Sequence, residues 1–543
     1  MYRCMFRKKI CIVTACVVAL VFSVSGFLTG CGKKPTPSDV TLTYWCNIAL
    51  TAANIMSSYT DTQWNKVLYE KTGVKVEYLH PVIGQEKEQF NVMVASGDLT
   101  DMLESAFVNY SGGVVKAYED GVVIDIKDLQ KKYAPNLTKL YEAYPDILTE
   151  LVDEEGRIFQ VPQIKGNDFL RTFQGLAVRK DWLKKLNMFE PETIEDWYNM
   201  LTAFKKELKV KVPLLVNLND LRVPGLMSAY GILPAYFVED GKVKYGPTDP
   251  RFKDYMREMA KWYREGLIYA DFALKKDAKL NDDMIMSGEA GAAIAMAGPN
   301  LSRYRSLMQK KDPEFDFSAV QYPSLVKGEA PKFLQQNDIV HKQGCVAITT
   351  KCKYPELALK YLDYAFSKEG HMLMNFGIEG VSYEYVNGEP IYTDLIANNP
   401  DGIPRASIGY EYFRNFGNGP FVLDSRPTKQ DVLQAKDHEV WLKFVKEANE
   451  AKSKVHGILT AEETAATASK QLEVNTYGDE MFIKFVMGRV NVDEEFDNYI
   501  AIMEQMGIND IIAVKQAAYD RFVKRYPNVN NPKSYSIDDY YLK

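Results

Sequence analysis

The chain has 543 residues, which is too long for one compact core and predicts two or more lobes. Its 46% hydrophobic and 25% charged residues are ordinary for a globular protein and argue against a disordered one. The formal net charge is −6 and the chain has no long basic run, so we expect no nucleic-acid partner.

Residues 1–30 have the pattern of a secretory signal peptide. Arg3, Arg7, Lys8 and Lys9 give a basic start, residues 10–28 are almost wholly apolar, and small residues follow. A transmembrane anchor is the alternative, because this run of roughly 19 residues is close to the ~20 that cross a bilayer.

The end of this segment, Leu28-Thr29-Gly30-Cys31, resembles the lipobox of bacterial lipoproteins. The resemblance implies that the Cys31 thiol receives a diacylglyceryl group and that the mature chain begins there, with residues 31–38 as a lipidated tether. Since a single acyl chain anchors a protein only marginally, we expect a further fatty acid, such as palmitate, on the same cysteine.

Three cysteines remain after the signal peptide and the lipidated residue, namely Cys46, Cys345 and Cys352. A bridge between Cys345 and Cys352 and a set of free thiols are both compatible with an oxidising exterior. Their spacing does not indicate zinc, and we predict no metal site.

Strands and helices alternate along residues 40–105. We predict strands at 40–48, 74–79 and 101–105, and helices at 62–72 and 88–96 that end at Gly73 and Gly97. This alternation predicts an α/β lobe with a largely parallel sheet.

Sequence patterns that predict helices and strands continue along the remainder of the chain. Thr193 begins a capping box, and Asp249 with Pro250 begins another helix. Further strands are predicted at 156–164, 172–179, around 290–296 and at 344–350. One long helix is predicted at 355–376, and the last 115 residues have a largely helical period.

Catalytic motifs are not found in the sequence. It contains no His-Glu-x-x-His, no Gly-x-Ser-x-Gly and no glycine-rich phosphate loop. We therefore predict neither an enzyme nor a cofactor. The paired carboxylates of a glycan hydrolase cannot be recognised from one sequence, so an anchored hydrolase stays an alternative.

Five segments in order resemble the family 1 extracellular solute-binding lipoproteins of bacterial ABC importers, in the oligosaccharide-binding branch. They are residues 92–103, 176–206, 263–273, 287–299 and 377–392. An Asp/Asn-rich calcium loop that many of these proteins carry is missing after residue 206, which agrees with our prediction of no metal.

The resemblance implies a class II periplasmic-binding-protein-like fold, an α/β fold of two lobes with hinge strands and an interlobe cleft. By analogy with this family, residues 39–165 and 345–390 would form the N-lobe, and residues 166–344 and 391–543 the C-lobe. The chain would cross between the lobes near 159–178 and 333–348.

The same resemblance implies a function. The protein would capture an oligosaccharide or other small solute at the extracellular face of the cell membrane and deliver it to ABC permease subunits. We expect a lipid-anchored monomer. A peptide receptor or sensor on the same fold is a further alternative.

In this fold the cleft residues come from loops at the carboxyl ends of strands, and sugars prefer aromatic faces beside amide and charged groups. The side chains predicted to bind ligand on that basis are Trp45, Asn47, Asn109, Tyr110, Arg171, Phe173, Asn300, Asn337, Asp338 and Glu379. Each has an alternative role: Trp45 and Phe173 as core, Arg171 as an interlobe ion pair, Asn300 and Asp338 as caps, and Glu379 as a solvated turn.

Overall fold

A computed structural model describes residues 40–104, 106–274, 278–448, 454–527, 536–537 and 540–541. The predicted signal peptide, the tether and Cys31 lie outside these residues. The strands are β1 (Thr41–Trp45), β2 (Lys75–Leu79), β3 (Met102–Glu104), β4 (Gln160–Val161), β5 (Ile164–Lys165), β6 (Gln174–Arg179), β7 (Val212–Leu215), β8 (Tyr236–Glu239), β9 (Lys242–Tyr245), β10 (Ala290–Met296), β11 (Phe317–Ala319), β12 (Val346–Ile348), β13 (Tyr383–Val386), β14 (Glu389–Tyr392) and β15 (Val422–Leu423).

The helices surround these strands. They are α1 (Leu50–Ala53), α2 (Gln63–Thr72), α3 (Glu86–Ser96), α4 (Gly113–Glu119), α5 (Lys127–Tyr133), α6 (Pro135–Ala143), α7 (Asp168–Arg171), α8 (Lys180–Lys185), α9 (Ile194–Lys206), α10 (Leu218–Leu221), α11 (Pro250–Arg264), α12 (Ala278–Met286), α13 (Arg303–Met308), α14 (Pro355–Tyr364), α15 (Lys368–Asn375), α16 (Asp394–Ala397), α17 (Arg405–Tyr412), α18 (Arg426–Lys429), α19 (Val432–Trp441), α20 (Val445–Ala448), α21 (Ala461–Val486), α22 (Val492–Gln505) and α23 (Ile508–Arg525).

The first sheet has the strand order β2-β1-β3-β12-β4. β1 runs parallel to β2 and β3, whereas β12 is antiparallel to β3 and β4. The connections through α2 and α3 are those of a parallel α/β unit, as the alternating pattern predicts. Gly73 ends α2 in the left-handed conformation at φ 70°, which a glycine adopts without a Cβ clash.

The second sheet has the order β11-β6-β10-β7 and a core of its own. β10 runs antiparallel to β6 and parallel to β7. Helix α9 packs on this sheet and begins with the predicted capping box, in which Thr193 and Asp196 exchange hydrogen bonds with each other's backbone. Its face of Trp197, Leu201 and Phe204 is fully buried.

The chain passes between the two sheets several times. It leaves the first sheet after Val161, joins the second at Gln174, and returns between Ala319 and Val346. Two later passages follow: Val422 lies in the first core and Trp441 in the second, and Ile537 near the C-terminus lies in the first core again.

Two details differ from the sequence analysis, and the structure decides between the two alternatives that it left open for the cysteines. The predicted helix over 355–376 is two helices, α14 and α15, because Ser367 starts a second helix by accepting a hydrogen bond from Gly370 N. Tyr410 and Phe421, which we expected in the C-lobe, pack in the core of the first sheet. Cys46, Cys345 and Cys352 are free thiols.

The length and hydrophobicity of the helices bear on whether one of them could cross a membrane. Within the described ranges, no helix is both long enough and apolar enough to cross a membrane, and this includes the 26-residue α21.

Candidate functional site

Four short segments meet where the chain passes between the sheets, and we call this region the junction. β5 pairs in parallel with β15, with Ile164 opposite Val422. Ile164 also forms a bridge with Val340, and Ile537 N donates to Gly166 O at 2.6 Å. Backbone hydrogen bonds therefore position the junction from four distant parts of the chain.

Two predicted ligand residues, Arg171 and Asn337, lie together at the junction. Arg171 Nε donates to Asn337 O at 2.8 Å, and Arg171 Nη1 pairs with Asp168 Oδ1 at 2.8 Å. In the opposite direction, the backbone N and the side-chain Nδ2 of Asn337 donate hydrogen bonds to Arg171 O at 2.9 and 3.1 Å. Arg171 is thus held in place by the return segment.

Phe173 and Asn300 flank the place where the end of β10 meets the start of β6. Ala297 N donates to Phe173 O at 3.0 Å. Asn300 Oδ1 accepts from Met296 N at 3.0 Å, which closes the turn after β10. Both side chains are only partly buried. The carboxyl end of β10 therefore meets the crossing segment, as the fold-based reasoning expects.

Asp338 belongs to an ion-pair network at the junction. Lys454 Nζ lies 2.7 Å from Asp338 Oδ1 and 2.7 Å from Glu150 Oε1. Burial raises the pKa of Asp338, but Lys454, with smaller contributions from Lys342 and Arg171, opposes this effect and the net pKa is lowered. Asp338 is therefore a carboxylate that already has a partner.

The predicted residues after β1 and β3 form a separate group. Trp45 is only 8% exposed and its ring centroid lies 6.1 Å from that of Phe90. The ring centroid of Tyr110 lies 6.4 Å from that of Phe90, and Asn109 is exposed. Asn47 Oδ1 is enclosed and has no hydrogen-bond donor in the described residues.

Glu379 makes a backbone bridge to a residue outside the junction. It is exposed, in the turn before β13, and its backbone bridges Tyr383. The described residues provide no hydrogen bond between this glutamate and the other predicted ligand residues.

Sequence reasoning missed Lys165, which ends β5 at the junction. The residue is 6% exposed, and its Nζ lies 5.5 Å from the ring centroid of Phe173. The pKa of Lys165 is lowered to about 8, chiefly by burial, with Asp338 opposing this effect and Arg171 adding to it. A lysine at the end of a predicted apolar strand was the available signal.

The segment around Arg414 was also missed, and it covers the carboxyl ends of the first sheet. Arg414 Nη2 lies 3.1 and 3.2 Å from the two carboxylate oxygens of Glu104, which also accepts from Tyr44 Oη at 2.6 Å. Burial raises the pKa of Glu104. Gln163 Nε2 donates to Gly417 O at 3.0 Å and joins this segment to the junction.

A groove of about 1650 Å³ lies elsewhere, at the carboxyl end of β6. Its lining includes Arg179, Trp182, Asp316 and Lys443. β6 begins at the junction and ends at Arg179, so the groove lies at the opposite end of the strand. It is not the site between the sheets.

The junction has the chemistry of a binding site for a polar ligand. It combines the partly buried ring of Phe173 with amide, guanidinium and ammonium groups within one region. In the part of the chain that the structure describes, no three His, Cys, Asp or Glu side chains are grouped so that they could hold a metal ion.

Two α/β units joined by crossing segments, with polar groups at the junction, define a two-lobed binding-protein fold. The sequence profile for bacterial extracellular solute-binding proteins matches residues 53–372, and the chain belongs to this family.

Curated relatives cover most of the chain. It is 24% identical over 462 residues to the lipoprotein LipO of Bacillus subtilis, an alignment that covers 82% of this chain and 86% of LipO. It is 23% identical over 487 residues to the fructooligosaccharide ABC transporter substrate-binding protein FusA of Streptococcus pneumoniae, covering 84% of this chain and 86% of FusA.

Solved structures show the same fold. A solute-binding protein of Bifidobacterium longum infantis that binds HMO has a TM-score of 0.71 at 18% identity, with 89% of this chain and 99% of that chain covered. FusA in complex with kestose has a TM-score of 0.69 at 19% identity, with 90% and 100% covered. The predicted two-lobed, class II α/β fold is confirmed.

Proposed function

We propose that this protein is the substrate-capturing component of a carbohydrate ABC importer and that it binds an oligosaccharide between its two lobes. The observation that carries the proposal is the junction, where Arg171 and Asn337 of two crossing segments bond to each other and Phe173 meets the end of β10, close in sequence to Asn300. The name of FusA, a relative along most of the chain, supports a carbohydrate as the ligand.

The physical basis of this role is a two-sided contact. A sugar ring offers an apolar face to Phe173 and hydroxyl groups to the amide and guanidinium groups around it. A ligand that touches both lobes favours the closed arrangement by the difference between its affinities for the closed and the open form. Closure would then present one joined surface to permease subunits.

Most of the residues that the sequence predicted to bind ligand are retained as proposed ligand contacts. Arg171, Phe173, Asn300 and Asn337 form the centre, and Asn47, Asn109 and Tyr110 form the first-lobe edge. We propose no direct contact for Trp45, Asp338 or Glu379, because the first is core-packed, the second is paired with Lys454 and the third lies in an exposed turn that bridges Tyr383.

The lobe boundaries are proposed as follows. Residues 40–165 and 340–423 would belong to the first lobe, in accord with the packing of Tyr410 and Val422 and the pairing of Lys165 with Leu423. The second lobe would take residues 174–334 and 432–525, whose buried side chains surround the second sheet.

We further propose that the protein is a lipid-anchored monomer at the outer face of the cell membrane, acylated at Cys31. The lipobox-like residues and the likeness to LipO support the anchor. Mass spectrometry of the N-terminal peptide tests this proposal, since an unmodified Cys31 or a lipid on another cysteine would contradict it.

The function is tested by screening oligosaccharides for an increase in melting temperature and then recovering the sugar. A ligand present at 100 times its dissociation constant adds about 2.7 kcal/mol to the stability of the native state. We expect at least one oligosaccharide to stabilise the protein and to be recovered with unchanged length. If shortened products appear and are lost on replacing one carboxylate, the protein is a hydrolase.

A further inference from the structure

We propose that Lys165 is a ligand-binding residue and that it selects an oligosaccharide carrying a negative charge, as a carboxylate or a sulfate. The inference rests on the proposed function and names the substrate class of the same site. It concerns a side chain that projects from β5, in the first lobe, towards Phe173, which leads into the second.

The first observation is that, in the described residues, the ammonium group has no hydrogen-bond acceptor and no carboxylate partner, and it lies 5.5 Å from the ring centroid of Phe173. In the described residues, no hydrogen-bond acceptor or carboxylate oxygen lies within bonding distance of Lys165 Nζ, although the residue is 6% exposed. Nζ is not one of the fully enclosed polar atoms that lack a hydrogen bond, so it keeps an opening to solvent. A buried ammonium without an acceptor is costly, and proteins usually pair it.

The second observation is that the charged groups near Lys165 are already paired with other residues. Arg171 is paired with Asp168. Glu150 accepts from Val340 N at 2.8 Å and shares the ammonium of Lys454 with Asp338. The carboxylates near the junction therefore already have donors, and none of them reaches Lys165 Nζ.

Burial and the neighbouring charged groups together lower the pKa of Lys165. Asp338 and Glu150 raise its pKa and Arg171 lowers it, but burial is the largest cause, and the pKa falls to about 8. Burial and Lys165 together lower the pKa of His341 to about 4, so this histidine is neutral at pH 7. The protein thus leaves Lys165 under-stabilised, and an anionic group of the ligand would supply the missing acceptors.

The test is isothermal titration of the full chain, purified in detergent, with matched probes. The pairs are trigalacturonate with its methyl ester, and sulfated lactose with lactose. We expect the charged member of at least one pair to bind tenfold or more tightly than its neutral partner. Charge-independent binding in every pair would overturn the inference and leave the proposed function standing, whereas no binding by any probe would count against both.

Two variants separate a binding role from a structural one. Lys165→Met keeps the length of the side chain and removes its charge, so it should abolish the charge preference while the melting temperature stays equal or rises. Lys75→Met, on an exposed strand position of the first sheet, should change neither property. A melting temperature that falls by several degrees in Lys165→Met, with the charge preference retained, would show that the lysine is structural.

The pH dependence gives a further readout. The unliganded lysine loses its proton above pH 8, so affinity for the charged probe should fall roughly tenfold between pH 7 and pH 9. Lys165→Met should show no such fall. A pH profile that is the same in both proteins would contradict the assignment.

Discussion

Replacing Arg414 by methionine should lower the free energy of unfolding by about 3–5 kcal/mol, because it leaves a buried carboxylate without its counter-ion. Glu104 is 1% exposed and Arg414 is 4% exposed, and they lie 3.1 Å apart at the carboxyl ends of the first sheet. The guanidinium also lies 5.3 Å from the ring centroid of Tyr59 and adds a cation–π contact. Urea unfolding followed by circular dichroism measures the loss.

The control is Arg257→Met. Arg257 pairs with Asp254 and Asp493 at the surface, where all three side chains are about half exposed, and its loss should cost less than about 1 kcal/mol. Adding Glu104→Gln to Arg414→Met should recover part of the lost stability, since the uncompensated charge is then removed. If Arg414→Met and Arg257→Met lowered the free energy of unfolding by equal, small amounts, the buried pair of Arg414 and Glu104 would not stabilise the first sheet.

Trp45→Ala should lower the stability of the unliganded protein by about 3–5 kcal/mol, the usual cost of removing a large buried aromatic side chain. The indole packs with Phe90 and Leu103 in a small cluster behind the end of β1. We expect the sugar affinity of the folded variant to stay within a few-fold of the unaltered protein. Thermal unfolding and calorimetric titration measure the two quantities separately.

Phe189→Ala is the matched control, since Phe189 is 92% exposed and its removal should change stability by no more than about 0.5 kcal/mol. If Trp45→Ala instead retained its stability and lost sugar affinity by tenfold or more, the indole would line the ligand site, as its place at a strand end first indicated.

Local patterns predicted the elements of this fold well because each signal acts over a few residues. The capping box at Thr193, the glycine ends of α2 and α3, and the alternation in β1 and β2 all depend on neighbours in sequence. The break at Ser367 was missed because apolar residues keep a helical period on both sides of it.

The site was only partly predictable. Arg171, Phe173 and Asn337 were predicted from their places beside the crossing segments, and the structure positions them at the junction. Trp45 was predicted from its place at the end of a strand, but sequence position cannot distinguish a cleft-facing aromatic from one packed on a helix. Arg414 follows its partner Glu104 by 310 residues, and no local pattern joins them.

The central claim is that the lobes close on a bound oligosaccharide, and small-angle X-ray scattering tests it most directly. The radius of gyration is measured for the full chain alone and at increasing concentrations of an oligosaccharide from the stability screen. We predict a decrease that saturates at one sugar per protein, with the same midpoint as the calorimetric titration. An unchanged radius of gyration at saturating, calorimetrically verified binding would contradict closure between the lobes.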